Sequence, residues 1–306
     1  MKICVICVTY NRLGYLKRFL ESVEEQKSCI DSIIVVDNCS TDGTQEFLDS
    51  WIAVSRITGK RIIRTLSNTG GSGGFDAGFR AAAGSDCDWL YVTDDDAFPD
   101  PGFFARAMEH LDGEPCGTVA VCSTVYNKEK IDVNHRRNSF IEGCSYRSIP
   151  VPVERYCESR IEINTFSFVG VFIRKSAISV NSIYPEKDYF IWYDDSEFSS
   201  SLSKFGKMYL CPDLVVHHDV PPSSPGWKKY YGTRNRLLMI GKHYDRKVFL
   251  HEAREVLRKN RKSFLKNLLK GRLNRLKINL MVSTAVRDAY RNRKGIHRKY
   301  RPGWKA

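Results

Sequence analysis

An α/β fold with a mostly parallel sheet is predicted by three features of the sequence. Short apolar, β-branched runs recur at 3–8, 33–36, 61–64 and 89–92. Between them, apolar residues return at helical spacing, as Leu13, Leu16, Phe19, Leu20 and Val23 do. Each run also ends in polar residues, and open α/β sheets bind ligands at the carboxyl ends of their strands. Strand and helix in alternation imply right-handed βαβ units and a parallel sheet.

Each element has its own signal. Ile3 to Val8 is continuously apolar, which fits a strand buried on both faces. The run Ile33 to Val36 ends at Asp37 and Asn38, and Ser40 to Gly43 reads as a turn and helix start. Arg61 to Arg64 is a weaker strand, followed by a glycine-rich loop at 70–74 and a helix through Phe79 and Ala83. Trp89 to Val92 is the fourth strand and Val119 to Cys122 the fifth. Residues 124–163 read as irregular and polar. Phe166 to Ile173 is strand-like, a turn at Pro185 to Lys187 leads into Phe190 to Trp192, and a helix is expected from Asp194. Met208 to Leu210 and Leu214 to Val216 are two short strands before His217, His218 and Asp219. Residues 221–226, with three prolines, read as a mobile loop, and a helical chain is expected from Trp227 onward.

Composition excludes several classes. Of 306 residues, 42% are apolar and 27% charged, which excludes a wholly disordered chain. No apolar run approaches the roughly 20 residues that span a bilayer. The first apolar stretch is too short for a signal peptide, so a cytoplasmic chain with reduced thiols is expected. Charge is segregated. Residues 246–306 carry 20 Lys and Arg against three acids, net +17, leaving residues 1–245 at net −4. A basic tail on an acidic body points to an anionic partner. Leu265, Leu268, Leu269, Leu273, Leu276 and Leu280, with Phe264, recur at helical spacing among lysines and arginines. That is a basic amphipathic helix, suited to a membrane surface, or a helix whose leucines pack on the body. Aromatics for stacking on bases are sparse there, so no nucleic acid is expected.

The chemistry-bearing groups lie at the strand ends. Asp94, Asp95 and Asp96 follow an apolar strand, and three adjacent carboxylates need a cation or full solvation. On an extended end Asp94 and Asp96 share a side, an arrangement for Mn²⁺ or Mg²⁺ bridging a diphosphate. Four glycines between Gly70 and Gly74 open a helix in a spacing that is neither a Walker nor a dinucleotide motif. Asp37 could accept from a nucleobase or ribose, but a lone aspartate there reads first as a helix cap or turn residue. Thr9, Tyr10, Asn11 and Arg12 end the first strand in the same layer. Asp194 and Asp195 follow the aromatics Phe190, Trp192 and Tyr193, where desolvation favours a general base; Glu197 is the alternative or a helix-dipole acid. His217 or His218 could supply a metal ligand. Cys4 and Cys7 have zinc-like spacing but lie inside a buried strand without a second pair.

In this order the set resembles the nucleotide-sugar glycosyltransferases of family 2, with their GT-A fold. The matching pieces are Thr9 to Arg12, Val36 to Asn38, Asn68 to Gly71, the Asp94 to Asp96 triplet, Phe168 to Gly170, Phe190 to Phe198 and Val216 to His218. The glycine stretch, with Tyr230, Tyr231, Arg234 and Asn235, is most similar to galactofuranosyltransferases, with rhamnosyltransferases next.

The resemblance implies a GT-A domain over 1–240 and a basic helical extension over 241–306. It implies that Asp37 contacts uracil and that Thr9, Tyr10, Asn11, Arg12, Asn68, Gly70, Gly71 and Asp95 line the nucleotide pocket. Asp94, Asp96 and one histidine, His218 by position, would hold Mn²⁺ or Mg²⁺. Asp195 would be the base and Asp194 would bind the acceptor hydroxyl. Tyr193 stands where galactofuranosyltransferases often have Trp, with Trp192 one position earlier. The implied reaction is inverting transfer of galactofuranose from UDP-galactofuranose to a lipid-linked cell-surface glycan, at the inner face of the cytoplasmic membrane. Transfer from dTDP-rhamnose and a noncatalytic sugar-nucleotide scaffold are the alternatives.

Overall fold

The first strand is buried at every position, and its two faces feed two different cores. The computed structural model describes residues 1–219 and 226–305; all but Gly226 of the expected proline-rich loop lies outside them. The N-terminal half runs β1 (Ile3–Thr9), α1 (Leu13–Glu24), β2 (Ser32–Asp37), α2 (Thr44–Val54), β3 (Gly59–Arg64), α3 (Gly70–Ala82), β4 (Trp89–Asp94), β5 (Ala97–Pro99) and α4 (Phe103–Asp112). Then come β6 (Thr118–Asn127), β7 (Lys130–Ile131), β8 (Arg136–Glu142), β9 (Ser145–Pro150), β10 (Ile161–Ile163), β11 (Thr165–Phe166), β12 (Val171–Arg174) and α5 (Lys175–Asn181). The chain closes with α6 (Asp194–Leu202), β13 (Lys207–His218), α7 (Lys228–His243), α8 (Arg246–Leu269) and α9 (Leu273–Tyr290).

The main sheet has the order β10-β13-β6-β12-β4-β1-β2-β3, with β5 beside β13 and β7 beside β6. Pairings β4-β1-β2-β3 and β13-β6 are parallel, while β12 runs antiparallel between β4 and β6. Val5, Cys7, Val35 and Tyr91 pack under α1, α2 and α4 on one face. Cys4, Ile6, Val8, Ile34 and Val36 pack under α3, α5 and α6 on the other. The GT-A expectation, a mostly parallel sheet between helices followed by a helical C-terminal segment, is therefore met. Cys4 and Cys7 fall on opposite faces, which removes them as a zinc pair.

Four local expectations are corrected. The stretch 124–163 is ordered, with β8 and β9 forming a hairpin that β11 joins as a second, three-stranded sheet. Phe166 to Ile173 is broken at Ser167–Gly170, so β11 and β12 belong to different sheets. The two strands expected at 208–216 are one strand, β13, whose register shifts between Cys211 and Val215. The basic amphipathic segment turns back on itself at Gly271, whose φ of +61° ends α8 and lets α9 return. Among the described residues no helix is long and apolar enough to cross a membrane.

Candidate active site

The carboxyl ends of β1, β2 and β4 open onto one cavity of about 500 Å³, closed on the far side by the Phe190–Asp195 turn and by Trp227 and Lys228 of the C-terminal region. Of the residues singled out in the sequence, it gathers Thr9, Tyr10, Arg12, Asn68, Gly70, Gly71, Asp94, Asp95, Asp96, Asp194, Asp195 and His218. Asn11 and Asp37 are not part of its lining. Asn11 Oδ1 accepts the Thr41 amide at 2.7 Å, and Asp37 Oδ1 accepts the Ser40 amide at 3.0 Å. Both brace the loop after β2, and the neighbouring Asn38 faces the cavity instead.

The glycine-rich stretch is not a loop. The helix α3 begins at Gly70 itself, and its glycines let neighbouring chain come close. A Cβ on Gly70 would stand 1.8 Å from the Phe190 carbonyl oxygen, at a φ of +73°, and one on Gly74 would stand 2.5 Å from Val8. The missing side chains thus seat α3 against β1 and against the turn that carries the acid pair. Asn38 completes the joint: its Nδ2 donates to the Gly70 carbonyl at 2.9 Å and its Oδ1 accepts from the Thr69 amide at 3.0 Å.

The acidic triplet divides its work. Asp95 turns inward, where its Oδ2 accepts from Thr9 Oγ at 2.6 Å and its Oδ1 from Arg12 at 3.2 Å. Arg12 also bonds Asp96. Burial, reinforced by Asp96, pushes Asp94 up to about 8. Burial pushes Asp95 up to about 7 against the pull of Arg12 and Thr9. Burial would raise Asp96 too, but the imidazole of His218 and the Arg12 guanidinium outweigh it and hold it below the usual carboxylate range. His218 Nε2 lies 3.3 Å from Asp96 Oδ1, and burial loses to that carboxylate, so its proton affinity is raised. His217 points elsewhere, to Asp100 at 2.7 Å, which leaves His218 as the histidine of the cavity.

Whether these groups fit a divalent cation can be tested on their own atoms. Two carboxylates and an imidazole suit Mn²⁺ or Mg²⁺. Asp96 Oδ1 meets His218 only as an ion pair without hydrogen-bond geometry, and His218 Nδ1 is buried with no hydrogen-bond partner, so the donor set has unspent capacity. The expected three-donor cage is nevertheless not assembled: among the described residues no three His, Cys, Asp or Glu side chains converge on one point. Arg12 instead supplies positive charge to the cluster. The donors fit the ion, and Arg12 occupies the second oxygen of Asp96.

The acid pair sits on a strained turn. Phe190, Trp192 and Tyr193 all have positive φ, between +66° and +69°, which bulky residues adopt only when their surroundings compel it. The compulsion comes from α7. Asn235 Nδ2 donates to the carbonyls of Tyr189, Ile191 and Trp192, each at 2.9 Å. Arg234 adds the Tyr189 carbonyl at 3.2 Å and the Gly295 carbonyl at 2.6 Å. The turn presents Trp192 and both acids to the cavity, while Tyr193 faces a second hollow beside Arg137, Arg236 and Ser196. The aromatic wall therefore comes from Trp192 and not from the residue directly before the acids.

Burial and the charge of Asp195 push Asp194 up to about 8. Burial also lifts Asp195, to about 6, opposed by the Ser196 amide at 2.5 Å and its hydroxyl at 3.1 Å. Asp194 is thus held above Asp195 while the two titrate as a pair, and the lower partner is the one suited to a base. Glu197 is buried away from the cavity, accepting from Lys242 and His243, which hold it below its usual range despite burial. It is not a candidate base.

Sequence reasoning missed Lys228 and Arg136. Lys228 lines the cavity across from the triplet, and only its place after the proline-rich stretch hinted at this. Arg136 is wholly buried and donates to the carbonyls of Ser123, Val169 and Gly170, pinning the Ser167–Gly170 bend that forms one cavity wall. It lies in the stretch read as irregular, and nothing in the sequence signals it.

Comparison with known proteins bears on the fold and the family. The abequosyltransferase RfbV of Salmonella typhimurium is 39% identical over 90 residues, which span 28% of this chain and 26% of that protein. Among solved structures, GalNAc-T7 with UDP, GalNAc and Mn²⁺ superposes with a TM-score of 0.63 at 16% identity, over 85% of this chain and 51% of that one. The mannosyltransferase PcManGT of Pyrobaculum calidifontis, in complex with GDP-Man and Mn²⁺, superposes with a TM-score of 0.59 at 13% identity, over 95% of this chain and 87% of that one. The model of the family named "Glycosyl transferase family 2" matches residues 4–180, more than half of the sequence, and the chain belongs to that family.

Proposed function

We propose that this protein is an inverting glycosyltransferase that takes a sugar from a nucleotide-diphosphate donor and gives it to a hydroxyl of a glycan acceptor. The observation that carries the reading is one cavity holding both an acidic cluster suited to a cation and, opposite it, a desolvated acid pair. The donor we favour is UDP-galactofuranose and the acceptor a lipid-linked cell-surface glycan, on the resemblance of the glycine stretch and of the Tyr230–Asn235 segment. Structural neighbours were solved with UDP, GDP-Man and Mn²⁺, which supports a nucleotide-sugar donor and a divalent ion for this chain.

In this reading Asp194 and Asp195 form the acceptor side. Ionised Asp195 takes the proton of the acceptor hydroxyl as the oxygen attacks the anomeric carbon. Asp194, the higher of the two, keeps the pair's proton and donates to the acceptor, which leaves Asp195 as the carboxylate free to accept one. Trp192 supplies a flat apolar wall for a sugar ring. On the donor side Thr9, Tyr10 and Asn38 border the nucleotide, and the amide end of α3 at Gly70 and Gly71 faces its phosphates. Asp94, Asp96 and His218 would hold Mn²⁺ or Mg²⁺, which when bound offsets the charge on the departing diphosphate. Arg12 and Lys228 bring further positive charge to the same region. The net +17 of residues 246–306 suits work at an anionic membrane face.

Purified protein incubated with UDP-galactofuranose, dTDP-rhamnose and UDP-galactose, with Mn²⁺ or with EDTA, tests the reading. The expected result is Mn²⁺-dependent release of UDP from UDP-galactofuranose above the other donors. Release of nucleotide from none of a wide panel of donors sinks the enzymatic reading; release of dTDP from dTDP-rhamnose alone transfers it to the rhamnosyl branch.

A further inference from the structure

The α8–α9 hairpin is built inside out at its tip. Near its root the two helices bury apolar residues, Val248 and Ala253 on α8 and Met281, Val282, Ala285 and Val286 on α9. Between residues 254 and 280 the only buried positions are two asparagines, Asn267 and Asn279. They form a polar seam between the helices. Asn267 Nδ2 donates to Asn279 Oδ1 at 3.0 Å, and Asn279 Nδ2 donates to Asn260 Oδ1 at 2.7 Å. Asn260 Nδ2 returns a bond to the Asn279 carbonyl at 2.9 Å.

The leucines lie outside. Leu265, Leu268, Leu269, Leu273 and Leu280 are 51%, 53%, 88%, 70% and 57% exposed. A water-exposed hairpin would turn these inward and the asparagines outward. These five leucines do not pack on the body, while Phe264 and Leu276 of the same series are half-buried. From Leu257 to Met281 there are nine Lys and Arg and no Asp or Glu. A second copy of the chain would bring an identical positive patch against this one. Nucleic acid matches the charge but not the leucines. An anionic lipid surface matches both, apolar below the headgroups and negative at them.

We propose that the tip of the α8–α9 hairpin docks on an anionic lipid bilayer, with leucines around the Gly271 turn entering the headgroup boundary and the flanking lysines and arginines meeting lipid phosphates. The asparagine seam holds the two helices together without an apolar interior, which frees the leucines for lipid. The root of the hairpin packs on α7, where Tyr230 Oη donates to Asp288 at 2.8 Å and where Asn235 grips the acid turn. On the reading of a lipid-linked acceptor, on which this role for the docking rests, the hairpin sets the cavity at the membrane that carries the acceptor.

The test is co-sedimentation of the full chain with phosphatidylcholine vesicles, with and without about one third phosphatidylglycerol. Wild type is expected to bind the anionic vesicles, to bind neutral ones at least ~10-fold less, and to release at high salt because surface charge is screened beyond about 8 Å at physiological ionic strength. The double variant Leu268→Asp with Leu269→Asp is expected to bind at least ~10-fold more weakly even at low salt. Lys266→Glu with Lys270→Glu should do the same through charge. Both pairs are exposed, so the variants should melt like wild type and release UDP from soluble donor at the wild-type rate. That readout separates loss of docking from failure of the enzymatic reading. Wild-type vesicle binding by the leucine variant overturns the proposal, as does a wild type that ignores anionic vesicles. A wild-type dimer that the leucine variant turns into a monomer overturns it as well, because the face is then a self-contact.

Discussion

Asn235 lies 2.9 Å from the carbonyl oxygen of Trp192, and its single side-chain amide group also serves the carbonyls of Tyr189 and Ile191. A residue of α7 thereby fixes a turn that runs directly into Asp194. Three bulky residues of that turn are held at positive φ, a conformation that costs of order 1–3 kcal/mol each when unsupported. The strain and the clamp are two halves of one device for aiming the acid pair.

Asn235→Ala is expected to release the turn. The Ile191 and Trp192 carbonyls lose their side-chain donor, at about 1–3 kcal/mol for each group left unsatisfied and less where water replaces it, while the Tyr189 carbonyl keeps Arg234. The melting temperature should fall. In surviving protein, turnover should drop by about 10²-fold while affinity for UDP stays near wild type, since a misplaced catalytic group costs roughly that. Steady-state kinetics beside UDP calorimetry checks it. An unchanged turnover would show that the turn holds its shape without the clamp.

Gly70→Ala attacks the same turn from the other side. The new Cβ meets the Phe190 carbonyl at 1.8 Å and must sit at a φ of +73°. The expected loss is at least about 3 kcal/mol, combining backbone strain with overpacking. Denaturant melts measure it. Gly71→Ala is the control, because a Cβ there meets nothing within 4 Å and its stability should stay near wild type.

The half of the molecule that could be read in advance is the half with two-sided burial. Ile3 to Val8 and Ile33 to Val36 are apolar on both faces because helices cover both, so run length and strand ends were legible. The triplet at the end of β4 was visible for the same reason. Arg136 to Glu142 was not, since this strand alternates buried, half-buried and exposed positions in a small sheet and carries few apolar residues. The break of β13 into two expected strands came from Pro212 and Asp213, which the strand absorbs in a register shift. Periodicity also ran straight through Gly271, because leucines on the two hairpin helices keep helical spacing across the turn. The pairing of His218 rather than His217 with the acids depends on strand alternation beyond the bulge, which no spacing rule supplies.

The acidic cluster predicts how metal and nucleotide binding depend on each other. Asp94→Asn, Asp96→Asn or His218→Ala should remove the gain in UDP affinity that Mn²⁺ gives wild type. Asp95→Asn should keep that gain and lose stability instead, because Asp95 bonds Thr9 and Arg12. Arg12→Gln should strengthen Mn²⁺ binding in the absence of nucleotide by freeing Asp96. Calorimetry with and without Mn²⁺ reads all five proteins. Mn²⁺-dependent UDP affinity retained in Asp96→Asn would remove Asp96 from the ligand set.

Asp194 predicts a dependence of stability on pH. Its carboxyl is held up to about 8 by burial and by Asp195, against about 3.9 in an unfolded chain. Folded protein therefore binds more protons than unfolded protein between those values. The contribution is fully present below about pH 4 and is lost as pH rises through about 8. Asp194→Asn escapes that loss, so its melting temperature should gain on wild type as pH rises from about 5 to about 9. Thermal melts across that range decide it, and parallel curves for the two proteins would show that Asp194 is ionised throughout.

Asp195 makes the sharpest prediction about rate. Burial lifts its carboxyl to about 6, and two bonds from Ser196 keep it below Asp194. A base works only when ionised, so transfer in wild type should rise with pH through an apparent value near 6 and level off above it. The two acids titrate as a pair, and the observed value belongs to both. Asp195→Asn should be slower by about 10²–10⁴-fold and should lose the rising limb, while UDP and Mn²⁺ affinities stay near wild type. Ser196→Ala removes the hydroxyl bond but keeps the amide, so its rising limb should shift to higher pH with turnover at the plateau little changed. Single-turnover transfer to a soluble acceptor across pH distinguishes these outcomes. A full-rate Asp195→Asn enzyme would move the base to Asp194, the only other carboxylate of the acid turn that faces the cavity among the described residues.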